Sequence, residues 1–297
     1  MKLIPAFLGL ISGYLIASAL QVVYTINLIQ LNINHPFLPQ AIVYIVMALA
    51  LIYLLVNKFK LDYNEVFKFV SIGFLTFLLI TSIAILTEPR NESQYTSWNF
   101  HECYSQTLNA EECSNTVIKT FPGKENTGYD YYPPVTHLIA KVIPLQILLL
   151  LILSSLWFLT WIATSNPLTP VVVFYSTLTI WTSFITGGTV PFFLALLFLI
   201  TLTFYWSKFS WLTRITLLVL TMFTHVFVGW LAVVLFLLFL ACEWFKVSRF
   251  LPSFLLVFAV ACYYLVYFDV SVRVLLIPVL YTSVLFIYFP TVYKKEV

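Results

Sequence analysis

Long apolar runs separated by short polar stretches dominate the chain. The first run extends to Ile29. The other runs lie at about residues 40–57, 69–87, 138–163, 170–186, 189–206, 212–243, 250–268 and 274–290. A helix that crosses a bilayer needs about 20 apolar residues, and these runs lack the alternation of apolar and polar residues that is typical of membrane barrels. The pattern therefore predicts an all-α polytopic membrane protein.

The composition excludes an ordinary soluble domain. The chain is 61% hydrophobic and 9% charged, with a mean hydropathy of +0.97, whereas a soluble domain carries about 25% charged residues. A net charge of +3 gives no basis for a nucleic-acid partner. The sequence also contains no P-loop, dinucleotide fingerprint or zinc-protease motif. Membrane lipid is therefore the first partner that the sequence predicts.

The first apolar run resembles a signal peptide in part. It starts with Lys2 and contains Ala17-Ser18-Ala19, a pattern typical of a cleavage site. The run continues to Ile29, which is longer than a typical signal sequence. We therefore interpret it as a retained first membrane span.

Basic residues predict the orientation of the spans, because cytoplasmic loops are enriched in Lys and Arg. Lys58, Lys60 and Lys68 cluster between the second and third runs, so this loop is predicted to be cytoplasmic. Lys2 agrees, since two spans separate it from that loop. The polar loop at 88–136 then lies on the outer face.

A single span in the 212–243 run would put the basic residues at its two ends on opposite sides of the membrane. Lys208 and Arg214 lie at or just before its start, Lys246 and Arg249 follow it, and all four should be cytoplasmic. A hairpin that turns near Thr224-His225 satisfies this condition. It predicts about ten membrane segments with both termini cytoplasmic, or nine if 212–243 forms a single span.

The cysteines fit this topology. Cys103 and Cys113 both lie in the outer loop, where an oxidising compartment would permit a disulfide. Cys242 and Cys262 lie in apolar runs and are predicted to be buried small hydrophobic residues.

The outer loop leaves the third span with two glutamates, Glu88 and Glu92. A carboxylate at the membrane boundary can have a raised pKa and can reach a lipid headgroup, which suits a general base. The alternative is a pair of interfacial charges that only mark the end of the span.

The other end of the loop, residues 128–137, holds Asp130, Tyr132, Pro134 and His137. A helix that starts at Pro134 would direct free N–H groups outward and could bind phosphate. His137 and Lys141 are four residues apart, so they should share one face of that helix. The alternative is a capped helix with an aromatic belt. His101 and His225 fall on the same outer side under this topology.

Four short motifs between residues 70 and 243 carry a resemblance to a known family. They are Trp98 with His101; Tyr131-Tyr132-Pro133-Pro134-Val135-Thr136-His137-Leu138; Gly187-Gly188-Thr189-Val190-Pro191 with Leu194-Ala195; and Phe223-Thr224-His225. Their order and spacing resemble the GT-C superfamily of integral membrane glycosyltransferases, in a short form without the soluble C-terminal domain. On this basis the chain divides into two N-terminal helices with a cytoplasmic loop at 1–68, a GT-C-like core at 69–243, and C-terminal helices at 244–297.

The resemblance implies a function. Such enzymes transfer a sugar from a polyprenyl-phosphate carrier to an acceptor on the outer face, and an acid in the first outer loop acts as base. It assigns catalysis to Glu92 or Glu88. It assigns substrate binding to His101, Asp130, Tyr132, His137, Lys141 and His225. The implied partners are the polyprenyl-phosphate-linked sugar and membrane lipid, and the implied location is a prokaryotic plasma membrane.

The sequence departs from the family pattern at the expected aspartate. Ser97 precedes Trp98 where members carry aspartate; in an alternative alignment Asn91 takes that place, with Glu92 and Tyr95 kept. The turn at 187–191 lacks the second acid of some members, so metal dependence is unsupported and no cofactor is predicted. A non-catalytic membrane subunit that acts with membrane protein partners is therefore the second hypothesis. A transporter is the third and weakest hypothesis. Transporters usually carry ionisable residues within their spans, and these spans carry almost none.

Overall fold

The computed structural model describes residues 3–29, 38–87, 92–109, 111–113, 133–176 and 190–246. These residues form α-helices and one 3₁₀ turn, and no strand occurs among them. The all-α prediction is confirmed for this part of the chain. Four helices are long and apolar enough to cross a membrane. The prediction of about ten spans is not confirmed, and the runs at 250–268 and 274–290 lie outside the described residues.

The helices follow the predicted runs closely at the N-terminal end. They are α1 (Leu3–Ile29), α2 (Leu38–Asn57), α3 (Tyr63–Thr87), α4 (Glu92–Thr107), α5 (Val135–Ala140), α6 (Leu145–Thr164), α7 (Thr169–Ser176), α8 (Val190–Phe204), the 3₁₀ turn Trp206–Lys208, α9 (Trp211–Met222) and α10 (Val226–Trp244). The four spanning candidates lie in α1, α2, α3 and α6.

The predicted run at 138–163 is interrupted. Helix α5 ends at Ala140, and α6 begins only at Leu145. Pro144 stands just before α6, where a proline can start a helix but cannot continue the preceding one. The run at 170–186 is helical as far as Ser176, and its remainder lies outside the described residues.

The chain divides into two compact units. The first contains residues 1–84 and 160–173, and the second contains residues 85–159 and 174–297. In the first unit, α1 packs along α2 and also meets α3 at glycines. A Cβ atom at Gly13 would overlap the backbone oxygen of Val70, and one at Gly73 would overlap that of Leu10. The Gly-x-x-x-Gly spacing of Gly9 and Gly13 allows this close backbone approach.

We expect Gly13→Leu to lower the free energy of unfolding by about 1 to 3 kcal/mol, because the new side chain must push α1 away from α3. Ala50→Leu is the matched control, since Ala50 is exposed on α2. Denaturant titration of the purified protein in detergent would measure both. An equal, small effect of the two substitutions would contradict the close packing at Gly13.

The second unit is organised around the predicted hairpin. Helix α9 ends at Met222, Phe223 and Thr224 form a turn, and α10 begins at Val226. At the turn a Cβ atom on Gly229 would lie 2.6 Å from the Cα of Met222. At the other end Arg214 of α9 pairs with Glu243 of α10 at 3.1 Å. The two helices are therefore antiparallel, and the break predicted near Thr224-His225 is confirmed.

Helix α8 packs against this hairpin. A buried apolar cluster joins the three elements, with Ala195, Leu199 and Leu202 from α8, Trp206 from the 3₁₀ turn, and Val228, Ala232, Leu235, Phe236 and Phe239 from α10. The side chain of Ser210 caps α9 by accepting the backbone N–H of Thr213 at 3.2 Å. This packing fixes the hairpin turn beside α5, where the candidate site lies.

Candidate functional site

Helix α4 supplies the first part of the site. The polar loop at 88–136 is described in part. In it α4 presents four nearly buried side chains, each no more than 5% exposed: Trp98, Phe100, His101 and Tyr104. The spacing of three and four residues places His101, Phe100 and Tyr104 on adjoining positions of one helical turn. A loop segment that is polar on average thus contains a helix with one buried face.

A disulfide closes the end of α4. Cys103 and Cys113 are bonded, with a Cα–Cα distance of 5.6 Å. The structure therefore joins the pair that the sequence analysis proposed. Cys113 is fully buried and packs with Phe100 and Tyr104. The bond ties the segment at 111–113 to the same side chains that surround His101.

The centre of the site is a pair of histidines from separate segments. Nδ1 of His101 lies 3.0 Å from Nε2 of His137, and the two rings stack with centroids 5.2 Å apart. In a neutral pair one of these nitrogens donates its proton and the other accepts it. The ring of Tyr104 meets His137 edge-on with centroids 4.6 Å apart, and Phe100 meets His101 in the same way at 5.4 Å.

The hairpin turn adds a third histidine. The backbone N–H of Val135 donates to the carbonyl oxygen of Phe223 at 3.1 Å, which connects the start of α5 to the turn. His225 caps α10, where its Nδ1 accepts the backbone N–H of Val228 at 3.4 Å. Its ring lies edge-to-face against Phe192 of α8, with centroids 5.5 Å apart. Thus α4, α5, α8 and the hairpin turn meet around three imidazoles.

These imidazoles are neutral at pH 7. Burial, together with the neighbouring charges that His137 and His225 would carry, lowers the pKa of His101 to about 3. Burial lowers the pKa of His137 to about 4, although the neighbouring backbone of Pro133 partly opposes the shift. Burial also lowers the pKa of His225 to about 4. His225 is close enough to influence the pKa of His101, and the hydrogen bond from Val135 to Phe223 holds the turn that carries His225 beside the start of α5.

The start of α5, where a phosphate clamp is predicted, is partly covered. The N–H of Val135 donates to the carbonyl oxygen of Phe223, and α5 is only six residues long, so the clamp stays a prediction. His137 is fully buried, whereas Lys141 is exposed at the end of α5. The two residues are four apart but do not face one open space. The physical reason is that the turn at Phe223 covers the start of α5.

The remaining predicted site residues lie wholly or partly outside the described residues. Glu92 is the first residue of α4, and nothing is described of its side chain. Glu88, Asp130 and Tyr132 fall outside the described residues altogether. Their roles stay predictions.

Several residues of the site were not predicted from the sequence. Phe100 and Tyr104 flank the histidine pair. Glu102 of α4 accepts a hydrogen bond from Nε2 of Gln146 of α6 at 3.0 Å. Thr136 is fully buried next to His137, and within the described residues its hydroxyl has no hydrogen-bond partner. The aromatic residues at positions 100 and 104, one helical turn apart, were the available signal for a buried face.

A small apolar groove lies beside the turn. It has a volume of about 170 Å³ and is lined by Pro133, Met222, Phe223, Val226 and Trp230. The hydrogen bond between Val135 and Phe223 joins its two sides. Among the described residues, no group of three His, Cys, Asp or Glu side chains is arranged to hold a metal ion.

Comparison with protein-family models, with curated proteins and with solved structures found no match for this chain. The four apolar helices are consistent with an integral membrane protein that contacts lipid. The part of the chain that the structure describes is thus an all-helical protein with four candidate membrane spans, a disulfide-bonded helix and a buried pair of histidines.

Proposed function

We propose that the protein is an integral membrane glycosyltransferase of the GT-C type, which transfers a sugar from a polyprenyl-phosphate carrier to an acceptor on the outer face. One observation supports this proposal most. His101, His137 and His225 belong to three separate motifs of the resemblance, and these residues lie together in the fold. When residues that are far apart in sequence share one site, a common function is favoured over three unrelated structural roles.

The geometry of α4 relates the candidate base to this cluster. Glu92 and His101 lie on the same helix, nine residues apart. At about 1.5 Å per residue, their backbones are separated by roughly 13 Å along the helix axis. Nine residues also make about two and a half helical turns, so positions 92 and 101 lie on opposite faces of α4, and a sugar phosphate would have to pass around the start of the helix to reach both. In the proposed reaction the Glu92 carboxylate takes the proton of the acceptor hydroxyl, and the acceptor oxygen displaces the carrier phosphate from the anomeric carbon.

A second candidate function has its own support. His101 and His137 are buried and bond to each other, as a structural clamp would. Together with the missing aspartate, this favours a non-catalytic subunit in which the cluster only holds the outer-loop helix in place.

A transfer assay separates the two functions. Purified protein in nanodiscs is supplied with polyprenyl-phosphate hexoses and pentoses that are labelled in the sugar, and release of label from the carrier is measured. We expect Glu92→Gln to lower the rate by a factor of about 100 or more, as for loss of a general base. Glu111→Gln is the matched control, since Glu111 is an exposed glutamate of the same loop.

The outcomes are distinct. Release by the wild type and by Glu111→Gln, with loss in Glu92→Gln, supports the enzyme. Full activity in the double variant Glu88→Gln/Glu92→Gln would exclude a carboxylate base from this loop exit. No release from any labelled carrier by folded wild type favours the non-catalytic subunit.

A further inference from the structure

The disulfide at the end of α4 joins two cysteines that differ in exposure. Cys103 is partly exposed, whereas Cys113 is fully buried. Thiol–disulfide exchange begins when a thiolate attacks one of the two sulfurs, and its rate depends on access to that sulfur. Cys103 is therefore the cysteine that an incoming thiolate can reach, and Cys113 is the one whose sulfur leaves.

A hydroxyl group lies beside the leaving sulfur. Oγ1 of Thr107 is 3.3 Å from Sγ of Cys113, and the hydroxyl is the donor because a disulfide sulfur carries no hydrogen. The same oxygen accepts the backbone N–H of Asn109 at 3.1 Å, and a second acceptor, the carbonyl oxygen of Cys103, lies 3.4 Å away. A hydroxyl that donates to this sulfur stabilises the negative charge that forms there when the bond breaks.

Local hydrogen bonds hold Cys113 close to α4 independently of the covalent bond. The side chain of Asn109 accepts the N–H of Glu112 at 3.2 Å, and the carbonyl oxygen of Asn109 accepts the N–H of Cys113 at 3.2 Å. The two thiols of the reduced protein therefore stay close enough for oxidation to restore the same pair. Reduction also frees Cys113 from the covalent constraint that keeps it packed against Phe100 and Tyr104.

We propose that Cys103–Cys113 is a thiol–disulfide exchange site whose oxidation state controls how firmly α4 is docked on His137. The link to His137 is direct, because the ring of Tyr104 contacts both Phe100 of the cysteine cluster and the imidazole of His137. The co-reactant is a dithiol. This site is independent of sugar transfer, since every step uses residues 103–113 alone.

The exchange proceeds in two steps. One thiolate of the dithiol attacks Sγ of Cys103, the sulfur–sulfur bond breaks, and Cys113 leaves as a thiolate. The second thiolate of the dithiol then attacks its mixed disulfide with Cys103 and releases that cysteine. The dithiol is oxidised to a disulfide, the protein gains two electrons, and the two protons of the dithiol end on Cys103 and Cys113.

The rate of reduction tests the role of Thr107. The full chain in nanodiscs is treated with dithiothreitol and alkylated at intervals, and peptide mass spectrometry measures the fraction of reduced Cys103–Cys113. Thr107→Val should be reduced roughly 5- to 10-fold more slowly, because the leaving sulfur loses a hydrogen bond. Thr107→Ser should keep the wild-type rate. A rate in Thr107→Val that equals or exceeds that of the wild type would overturn the proposal.

The matched control for this measurement is Ser105→Ala. It removes another hydroxyl from the end of α4, one that donates to the carbonyl oxygen of Glu102 and not to a sulfur. Its rate of reduction should equal that of the wild type. Slowing equal to that of Thr107→Val would overturn the specific role of the Thr107 hydroxyl.

Single-cysteine variants test which sulfur is attacked. Cys113→Ala keeps Cys103 of the pair, and Cys103→Ala keeps Cys113. With dipyridyl disulfide as the probe, the thiol of Cys103 should react about tenfold faster or more, because the position of Cys113 is buried. Faster modification of Cys113 would overturn the order of attack.

Hydrogen exchange of the oxidised and the fully reduced wild type tests the control of docking. Reduction should speed exchange of the α4 amides by about tenfold or more, because the constraint at the end of this helix is lost. The amides of α10 should exchange at the same rate in both forms, since the disulfide lies within the loop at 88–136. Unchanged protection of α4 after complete reduction would overturn the proposal.

Discussion

We expect His101→Ala to lower the free energy of unfolding by about 3 to 5 kcal/mol, similar to the loss of a buried aromatic ring. The substitution leaves a cavity between Phe100 and His137, because His101 is 3% exposed. It also removes the hydrogen-bonding partner of His137 Nε2, and a buried polar atom without a partner costs about 1 to 3 kcal/mol. Denaturant titration in detergent would measure the loss.

Two comparisons make this result specific. Lys141→Ala should change the unfolding free energy by less than about 0.5 kcal/mol, since Lys141 is exposed. Hydrogen exchange of the α4 amides should rise strongly in His101→Ala and stay unchanged in Lys141→Ala. A change below about 1 kcal/mol for His101→Ala would mean that α4 is not docked through this side chain.

We expect the second unit to lose stability as the pH falls from about 6.5 towards 4. The pKa of His137 and His225 is lowered from 6.5 to about 4 by burial, and that of His101 to about 3. In this range the unfolded chain binds protons that the folded chain does not, so stability rises with pH. Each histidine contributes a slope of up to about 1.4 kcal/mol per pH unit.

A variant isolates the cluster as the cause. His101→Phe/His137→Phe keeps aromatic rings at both positions and removes two of the titrating groups. Its unfolding free energy should fall less steeply between pH 6.5 and 4 than that of the wild type. Equal slopes for the two proteins would show that groups other than this histidine pair control the acid response.

The sequence predicted the helices and one turn for clear physical reasons. Apolar runs locate α1, α2 and α3 because lipid requires them to be continuous. The hairpin break at Thr224-His225 was predicted because an even number of spans must separate two sets of cytoplasmic basic residues. No glycine or proline stands at this break. The interruption before Leu145 was missed, since Pro144 lies within an apolar run and was given no weight as a helix breaker.

The candidate site was predictable only in part. The predicted topology puts His101, His137 and His225 on one side of the membrane, but tertiary packing decides which of them touch. At the start of α5 the N–H of Val135 donates to the carbonyl oxygen of Phe223, which lies in a turn 88 residues later. No local pattern contains that information. The buried face of α4 was not predicted, because the loop that contains this helix is polar on average.

The most direct test of the account is a double-mutant cycle between His101 and His137, because their contact is what joins the outer-loop helix to α5. The unfolding free energies of the wild type, the two alanine variants and the double variant give a coupling energy, and His101 with Lys141 serves as the control pair. We predict a coupling of about 1 to 3 kcal/mol for the histidines and none for the control. Histidine effects that add within about 0.5 kcal/mol would contradict the buried pair.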